Sequence, residues 1–290
     1  MSTTQRQDRT SSRRRRLRVV SPGSLLRQAL LLAMAVVTMY PVYYMIVTSL
    51  KSNQDWLTNQ FGIPLDPTLG NYARVFQLGQ IPTWFLNSVI VTGASVAVAI
   101  VVATLAAYAI ARLRFRGRTF LLRLMIALMV IPPAVLILPL FLTFQPLGLV
   151  NTYQGVVLIY CGLLIPMSIY MLVSFFRTLP VEIFEAAQLD GASTMRILWS
   201  IVVPLSGPGF VTLTVVNSLW VWNELLIALV FLQDDSKRTL MAGLTQFQGH
   251  YVLDEPLVMA GTFLATLPML LLFLAGQRYF IRGLVAGAVK

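Results

Sequence analysis

The chain has 290 residues, of which 57% are hydrophobic and only 11% are charged, and its mean hydropathy is +0.75. A soluble domain carries about 25% charged residues, so this composition indicates an all-α integral membrane protein. One Cys and one His exclude a disulfide framework and a His/Cys metal site made by this chain alone.

Six apolar stretches are long enough to cross the hydrocarbon core of a bilayer, which takes about 20 residues. They follow an arginine-rich segment, residues 1–24, that we expect to be a disordered cytoplasmic tail. The membrane domain then covers the rest of the chain, with predicted spans at 25–50, 86–111, 120–143, 153–176, 207–232 and 257–280.

Several prolines lie inside these predicted spans, at Pro132, Pro133, Pro139 and Pro166. We expect them to kink or interrupt the helices, which membrane proteins tolerate where neighbouring groups satisfy the freed backbone. Such breaks serve either packing geometry or a hinge between access states.

Positive charge is distributed unequally across the predicted spans. With the N-terminus in the cytoplasm, 18 of the 22 Lys and Arg residues fall on the cytoplasmic side, and Lys51, Arg74, Lys237 and Arg238 fall outside. The positive-inside rule therefore predicts that both termini are cytoplasmic. The net charge of +11 is mainly this topology signal, with some attraction to anionic lipid. The sequence has no basic surface interleaved with aromatic residues, so a nucleic-acid partner is not indicated.

The outer connections differ in length. Residues 51–85 contain three prolines and two tryptophans and are predicted to form a small lobe with short helices. Residues 144–152 make a tight turn, whereas the polar residues 233–256 are long enough to reach a partner protein.

The connection at 177–205, between the fourth and fifth spans, differs from the apolar stretches around it. Its segment VEIFEAAQLDGAS has three carboxylates, two adjacent alanines and a glycine. Pro180 suits the start of a helix, and Gly191 suits the left-handed residue that ends one. Ser193 can cap the segment that follows. We therefore predict two short helices joined by a glycine turn.

The acidic character of the first of these helices points to a protein partner. Helices that lie on a membrane surface prefer Lys and Arg on their polar face, whereas this one carries Glu182, Glu185 and Asp190. Ala186 and Ala187 let another protein approach the backbone closely. A docking helix for a cytoplasmic protein is favoured, with Glu185 facing a cationic group there. An ordinary amphipathic connector is the alternative.

Three stretches carry a resemblance to a known family. The sequence EAA at 185–187 is followed after three residues by Gly191 and after nine more by IVVP at 201–204. This spacing resembles the EAA loop of bacterial ABC importer permeases, although Val203 stands where leucine is usual. The segments LWVWNELLIALVFL and QRYFIRGLVAGAVK are similar to the carbohydrate branch of that family, the maltose-type permeases.

The resemblance implies a six-span type I permease of the inner membrane. Such a permease pairs with a second permease, two ATPase subunits and an extracytoplasmic solute-binding protein. Closure of the ATPase dimer on ATP moves the EAA helix and switches the pore between inward and outward access. The residues that this assigns to ATPase coupling are Glu185, Ala186, Ala187, Asp190 and Gly191.

The chemistry of ATP hydrolysis is expected to lie in another chain. The sequence has no Walker A motif of the form GxxxxGK[ST], so ATP and Mg²⁺ would be bound by the partner ATPase. We expect this chain to be a transport subunit and not an enzyme, with no catalytic residue, metal or cofactor of its own.

The fifth predicted span contains Glu224, the one acidic residue placed deep in an apolar stretch. On a continuous helix Asn217, Trp220 and Glu224 share one stripe, Asn223 lies toward its edge and Trp222 points away. An ionisable group at membrane depth is costly unless it is paired or wetted. Amide, indole and carboxylate groups can bind a sugar. Our candidate substrate path is therefore Asn217, Trp220, Asn223 and Glu224. A polar seam that seals two permeases together is the alternative.

The solute itself is less constrained by the residues. No Lys or Arg lies deep in a span, which favours a neutral solute such as a sugar or oligosaccharide. A permease for another solute, such as a glycerophosphodiester or polyol, stays open. An ion-coupled carrier is a further alternative. Coupling to ions generally needs intramembrane titratable groups, and the predicted spans hold one glutamate at depth. A membrane-anchored scaffold would leave the polar stripe without a purpose.

Overall fold

The structure is a computed structural model that describes residues 22–247 and 254–288, with side chains over 26–247 and 254–277. The chain divides into two units, Met1–Tyr44 and Met45–Lys290. Residues 1–21 of the predicted disordered tail lie outside the described residues. Residues 248–253, in the middle of the predicted outer connection, also lie outside them.

The described residues are predominantly helical and contain no β-strand. A π-helical turn covers Leu198–Val202, and 3₁₀ turns cover Asp235–Lys237 and Thr245–Phe247. The α-helices are α1 (Pro22–Ser49), α2 (Asn53–Thr58), α3 (Gly70–Leu78), α4 (Ile81–Arg112), α5 (Arg118–Leu128), α6 (Pro133–Phe144), α7 (Tyr153–Thr178), α8 (Val181–Leu189), α9 (Thr194–Ile197), α10 (Val203–Leu205), α11 (Gly207–Asn223), α12 (Leu226–Phe231), α13 (Leu240–Leu244) and α14 (Glu255–Ala288).

Four of these helices are long and apolar enough to cross a membrane unaided, namely α1, α4, α7 and α14. Two bent pairs reach the required length together. One is α5 with α6, bent by 98°, and the other is the segment Thr194–Leu205 with α11, bent by 76°. The described residues therefore hold four spans, or six if each bent pair counts as one.

Contacts at the two ends of α7 show that α5 and α6 together make one crossing. The Tyr153 hydroxyl, at the start of α7, donates to Asn87 Oδ1 near the start of α4, at 2.8 Å. At the opposite ends, Arg112 donates to the carbonyl of Leu179 at 2.7 Å. Helices α4 and α7 thus run in the same direction, and the chain between them must return across the bundle.

The bend between α5 and α6 has a local cause. Pro132 and Pro133 stand between them, and Pro132 has a ψ of 131° because a residue that precedes proline is driven out of the α region. The predicted interruption is confirmed here. Pro139 and Pro166, by contrast, lie inside α6 and α7, which continue through them, so neither proline interrupts its helix, and a kink at either position stays a prediction.

The fifth crossing runs antiparallel to α7 and is also broken. Asn217 of α11 lies beside Ser168, and Glu224 lies beside Tyr160, earlier in α7. The N–H of Asn151 then donates to the carbonyl of Phe231 at 2.7 Å, so α12 ends where α7 begins. Helices α11 and α12 therefore cross together, but not as the continuous helix predicted for 207–232.

Small side chains allow α4 and α7 to pack closely along their lengths. Ala99, Ala103 and Ala107 recur every four residues on one face of α4 and are fully buried. Without a hydrophobic driving force between helices in lipid, such small residues let backbones approach and gain dispersion contacts. This face is the scaffold on which the connector 177–205 and α11 are placed.

At the end of the bundle where α7 begins, polar contacts fix the segment after α12. Trp84 Nε1 donates to the carbonyl of Asp235 at 2.8 Å, and Asn87 Nδ2 donates to the carbonyls of Ser236 and Arg238 at 2.9 Å each. The Asn151 side-chain amide donates to Asp234 at 2.6 Å.

That last hydrogen bond, together with nearby Lys237, holds the pKa of Asp234 below its usual range, because both stabilise the carboxylate. The Asp234 side chain is 56% exposed and lies in the segment that follows α12.

The predicted lobe at 51–85 contains the two short helices α2 and α3. Lys51 is fully buried, and its ammonium donates to the carbonyls of Asn59 and Gln60 just after α2. Asp55 accepts from the N–H of Leu65 at 3.0 Å. These bonds tie the start of the lobe to its proline-containing middle, so the segment is a folded element and not an open loop.

Candidate coupling loop and substrate path

The connector 177–205 forms the predicted pair of short helices. Helix α8 begins at Val181, directly after Pro180, and Glu182 lies in its first turn at the favourable end of the helix dipole. Ser193 Oγ accepts from the N–H of Arg196 at 3.3 Å and caps α9, as predicted. We call residues 177–205 the coupling loop from here on.

Helix α8 ends in a Schellman turn. The N–H of Ala192 donates to the carbonyl of Ala187 and the N–H of Gly191 to that of Gln188, each at 3.0 Å. The turn requires a positive φ at Gly191, which is 74°. An added Cβ at Gly191 would meet no atom within 4 Å, so the backbone conformation, and not space, favours glycine. The prediction of a left-handed Gly191 is confirmed.

The predicted coupling residues lie on two faces of α8. Glu185, Ala186, Asp190 and Gly191 are exposed, whereas Ala187 is 8% exposed and packs into the buried core of this chain. Successive helix positions are about 100° apart, so adjacent alanines cannot face the same partner equally. The expectation that Ala187 presents its methyl group to another protein is therefore corrected: it joins α8 to its own bundle.

Two of the predicted substrate-path residues line one cavity. This cavity, of about 540 Å³, lies between α5, α6, α7 and α11, and its lining includes Asn217 and Trp220 but no charged side chain. Asn217 is 2% exposed and donates its amide to Ser168 Oγ at 3.0 Å. Trp220 is 37% exposed and meets Tyr160 edge to face, with ring centroids 5.9 Å apart.

Glu224 does not continue the stripe, because α11 ends at Asn223 and Glu224 has an extended ψ of 123°. Both its carboxylate oxygens accept from the N–H of Ile227, at 3.1 and 3.0 Å, and Oε2 also accepts from the Tyr160 hydroxyl at 2.8 Å. Glu224 thus caps α12 from the break and is not among the residues lining the cavity. The helical-stripe geometry predicted for it is wrong.

The two remaining residues of the predicted stripe region differ in environment. Asn223 is exposed, and its amide donates to the carbonyl of Leu219 within its own helix at 2.7 Å. It does not line the cavity described above. Trp222 is buried and donates Nε1 to the carbonyl of Ala265 on α14 at 3.0 Å, so it packs between helices and points away from the stripe.

Sequence reasoning missed three partners that define these sites. Ser168 and Tyr160 contact Asn217 and Glu224 from α7, eight residues apart, which matches two turns along one helix face. That spacing within an apolar helix was a usable signal. Arg112, at the end of α4, counts in the sequence as one of the cytoplasmic positive charges, but in the structure it contacts the coupling loop.

This chain is similar to known transport proteins along most of its length. The family described as binding-protein-dependent transport system inner membrane component matches residues 99–285. The melibiose/raffinose/stachyose import permease protein MelC of Bacillus subtilis is 35% identical over 251 residues, covering 86% of this chain and 91% of MelC.

Two further similarities extend the match. The trehalose/maltose transport system permease protein MalG of Thermococcus litoralis is 34% identical over 260 residues, covering 89% of this chain and 93% of MalG. A crystal structure of a bacterial ABC transporter involved in the import of the acidic polysaccharide alginate has a chain with a TM-score of 0.80 and 23% identity, covering 91% of this chain and 98% of that one.

The family match covers more than half of this chain, and the relatives align over nearly all of it. The structural similarity covers 91% of this chain and supports one shared fold. This chain therefore belongs to the family of binding-protein-dependent transport system inner membrane components, as a multi-pass, non-enzymatic permease subunit of an ABC importer with the type I permease fold.

Proposed function

We propose that this permease imports a neutral sugar or oligosaccharide that an extracytoplasmic binding protein delivers. The observation that carries the proposal is the uncharged cavity lined by Asn217 and Trp220. An amide can bond sugar hydroxyls, and an indole offers a flat surface to the apolar face of a pyranose ring. Two relatives named for sugar transport, MelC and MalG, support the same class of solute.

The absence of charge in this lining weighs against the alternative of a glycerophosphodiester. A phosphodiester keeps its negative charge at physiological pH and needs a cation or several N–H donors in a water-poor site. The side-chain N–H donors of the described lining are the amide of Asn217 and the indole of Trp220, and the lining has no Lys or Arg. A polyol shares the hydroxyl chemistry of a sugar but lacks a ring to stack on Trp220.

Coupling to ATP is assigned to the exposed face of the coupling loop. Glu185, Ala186, Asp190 and Gly191 form a continuous exposed surface around the end of α8. In this proposal two ATPase subunits bind ATP and Mg²⁺, and one of them contacts this surface with a basic residue near Glu185. A second permease completes the pore. The small side chain at Ala186 lets the ATPase approach the α8 backbone.

The experiment reconstitutes this chain in liposomes with the permease and ATPase that co-purify with it, adding the solute-binding protein on the side opposite the ATPase. Uptake of labelled neutral oligosaccharides is compared with uptake of a labelled glycerophosphodiester. We expect uptake of a neutral oligosaccharide that requires ATP. Import of the phosphodiester alone would refute the assignment of a neutral sugar.

Two variants of Trp220 test the stacking surface in the same assay. Trp220→Phe keeps an aromatic face, whereas Trp220→Leu keeps an apolar side chain without one. We expect Trp220→Phe to retain uptake and Trp220→Leu to lose about 2- to 10-fold, since an aromatic contact contributes about 0.5–1.5 kcal/mol beyond its area. Equal uptake by both variants would remove Trp220 from the path.

A further inference from the structure

The last residue of α4, Arg112, joins three elements at the entrance to the coupling loop. Its guanidinium donates to the carbonyls of Phe176 and Leu179, at the end of α7, the second at 2.7 Å. The same guanidinium lies over the ring of Phe184, with its carbon 3.9 Å from the ring centroid. Phe184 belongs to α8, the helix that bears the exposed coupling surface.

These contacts use properties that arginine has and lysine lacks. The last carbonyls of a helix have no intrahelical donor, and Phe176 and Leu179 lie at the end of α7. A planar guanidinium donates in its plane to such carbonyls while its face stacks on an aromatic ring. An ammonium group has no such plane, so it cannot hold both carbonyls and cover the Phe184 ring in one arrangement.

The space beside Arg112 is not filled by side chains, which makes its contact with Phe184 important for linking α8 to α4. A cavity of about 530 Å³ lies beside it and is bounded by Arg114 on one side and by Glu185 and Gln188 of α8 on the other. Side chains therefore do not fill the space between the 112–114 segment and this face of α8. Phe184 itself is 7% exposed and packs in a buried cluster, with its ring beneath the guanidinium.

We propose that Arg112 is a positioning residue that transmits movement of the coupling loop to α4 and α7. A force on α8 reaches the Phe184 ring, passes to the guanidinium stacked on it, and from there to the end of α4 and to the α7 carbonyls. Because α4 and α7 run in parallel and both end here, they move together with α8. This inference rests on the proposed coupling of the loop to an ATPase.

The test compares Arg112→Lys with Arg114→Lys in the reconstituted transporter. Arg114 is exposed and lines the same cavity, so its variant makes the same chemical change two residues away. The measurement is the number of solute molecules imported per ATP hydrolysed, together with basal ATPase activity and recovery of the assembled complex. A residue that served stability alone would change recovery but not the transport ratio of the complexes that assemble.

We expect Arg112→Lys to assemble and to retain basal ATPase activity, while its transport ratio falls about tenfold, within the range of energetic coupling between distant sites. Arg114→Lys should match the wild type. Phe184→Leu, which keeps the apolar volume but removes the stacking face, should lower the ratio by a smaller factor, and it decides the question if Arg112→Lys does not assemble.

An unchanged ratio in Arg112→Lys, or in Phe184→Leu where Arg112→Lys fails to assemble, would overturn this proposal. The wild type serves as a separate reference. If wild-type complexes hydrolyse ATP without importing any neutral sugar, the proposed function fails. If they import it and the variants do so with the same ratio, only the role of Arg112 fails.

Discussion

Glu224 illustrates how a single acidic side chain is accommodated at membrane depth. Its carboxylate receives the Tyr160 hydroxyl and two backbone N–H groups at the start of α12, from Ile227 and Ala228. Free N–H groups at a helix start are donors without intrahelical acceptors, so a carboxylate placed there satisfies them and gains from the helix dipole. The carboxyl group is thus paired with fixed donors, which offset the cost of placing it among apolar residues.

This arrangement predicts that Glu224 and Tyr160 act as one unit. Tyr160→Phe removes a hydrogen bond to a charged group, worth about 1.5–3 kcal/mol, and Glu224→Gln places an amide NH₂ against N–H donors. We expect each variant to lower the melting temperature of the detergent-solubilised protein. The double variant should lower it by less than the sum, because contacting residues are coupled by about 0.5–3 kcal/mol.

Additive shifts in melting temperature would show that the hydroxyl and the carboxylate are energetically independent. A matched control is Tyr170→Phe on the same helix, because Tyr170 is exposed. We expect that substitution to leave the melting temperature of both the wild type and Glu224→Gln unchanged.

At the scale of the element, the Schellman turn that ends α8 sets the shape of the coupling surface. Gly191 has a φ of 74° and free space around its Cα, so substitutions there act through backbone strain alone. Asparagine tolerates this region better than alanine, and a β-branched residue tolerates it least. We expect Gly191→Asn to lower solute-stimulated ATPase activity and uptake least, Gly191→Ala to lower them more, and Gly191→Val to lower them most.

The magnitude of that series follows from the conformational penalty. A left-handed non-glycine residue costs about 1–2 kcal/mol, enough to shift the turn toward another conformation in a large fraction of molecules. Gly93, on α4, has no atom within 4 Å of an added Cβ and no positive φ, so Gly93→Ala is the control. Equal activity for all three Gly191 variants would show that the loop is a passive linker.

Substitutions of Ala186 and Ala187, the two alanines of α8, are expected to cause different defects. Ala187→Leu adds side-chain volume to a packed core, which costs about 1–3 kcal/mol, so this variant should lower the melting temperature of the permease alone. Ala186→Leu lies on the exposed face and should leave the permease stable while reducing co-purification of the ATPase. A normal melting temperature for Ala187→Leu would contradict its placement in the core.

At the scale of the whole molecule, the sequence predicted most spans and the local shape of the coupling loop, because both depend on short-range signals. Hydropathy identifies apolar helices, and Pro180, Gly191 and Ser193 fix helix ends within a few residues. The break at Glu224 had no such signal: neither proline nor glycine stands there, and apolar residues continue on both sides. Tertiary contacts with Tyr160 stabilise the break.

The orientation of α8 and of Arg112 was beyond sequence reasoning for the same reason. Whether Ala186 or Ala187 faces outward depends on which side of a short helix docks on the bundle. An arginine at the end of a span reads as a positive-inside signal whether it points to the lipid headgroups or, as here, to the carbonyls at the end of α7. Only packed neighbours distinguish the two.

The arrangement of the whole chain across the membrane is our last prediction. Eighteen of the 22 Lys and Arg residues lie on one side if both termini are cytoplasmic and the chain crosses six times. Alkaline phosphatase, which is active only outside the cytoplasm, should therefore be inactive when fused after Lys290. Fused after Asp66, in the outer lobe, it should be active, and this fusion is the positive control.

A fusion after Gly148, between α6 and α7, tests the bent pair directly. If α5 and α6 make one crossing, as the parallel course of α4 and α7 requires, phosphatase placed after Gly148 is outside and active, and a fusion after Arg116 is inactive. If the pair instead enters and leaves on the same side, the Gly148 fusion is inactive too. That outcome would contradict the six-span arrangement, because the coupling loop would then lie on the side opposite the one that the arginines predict.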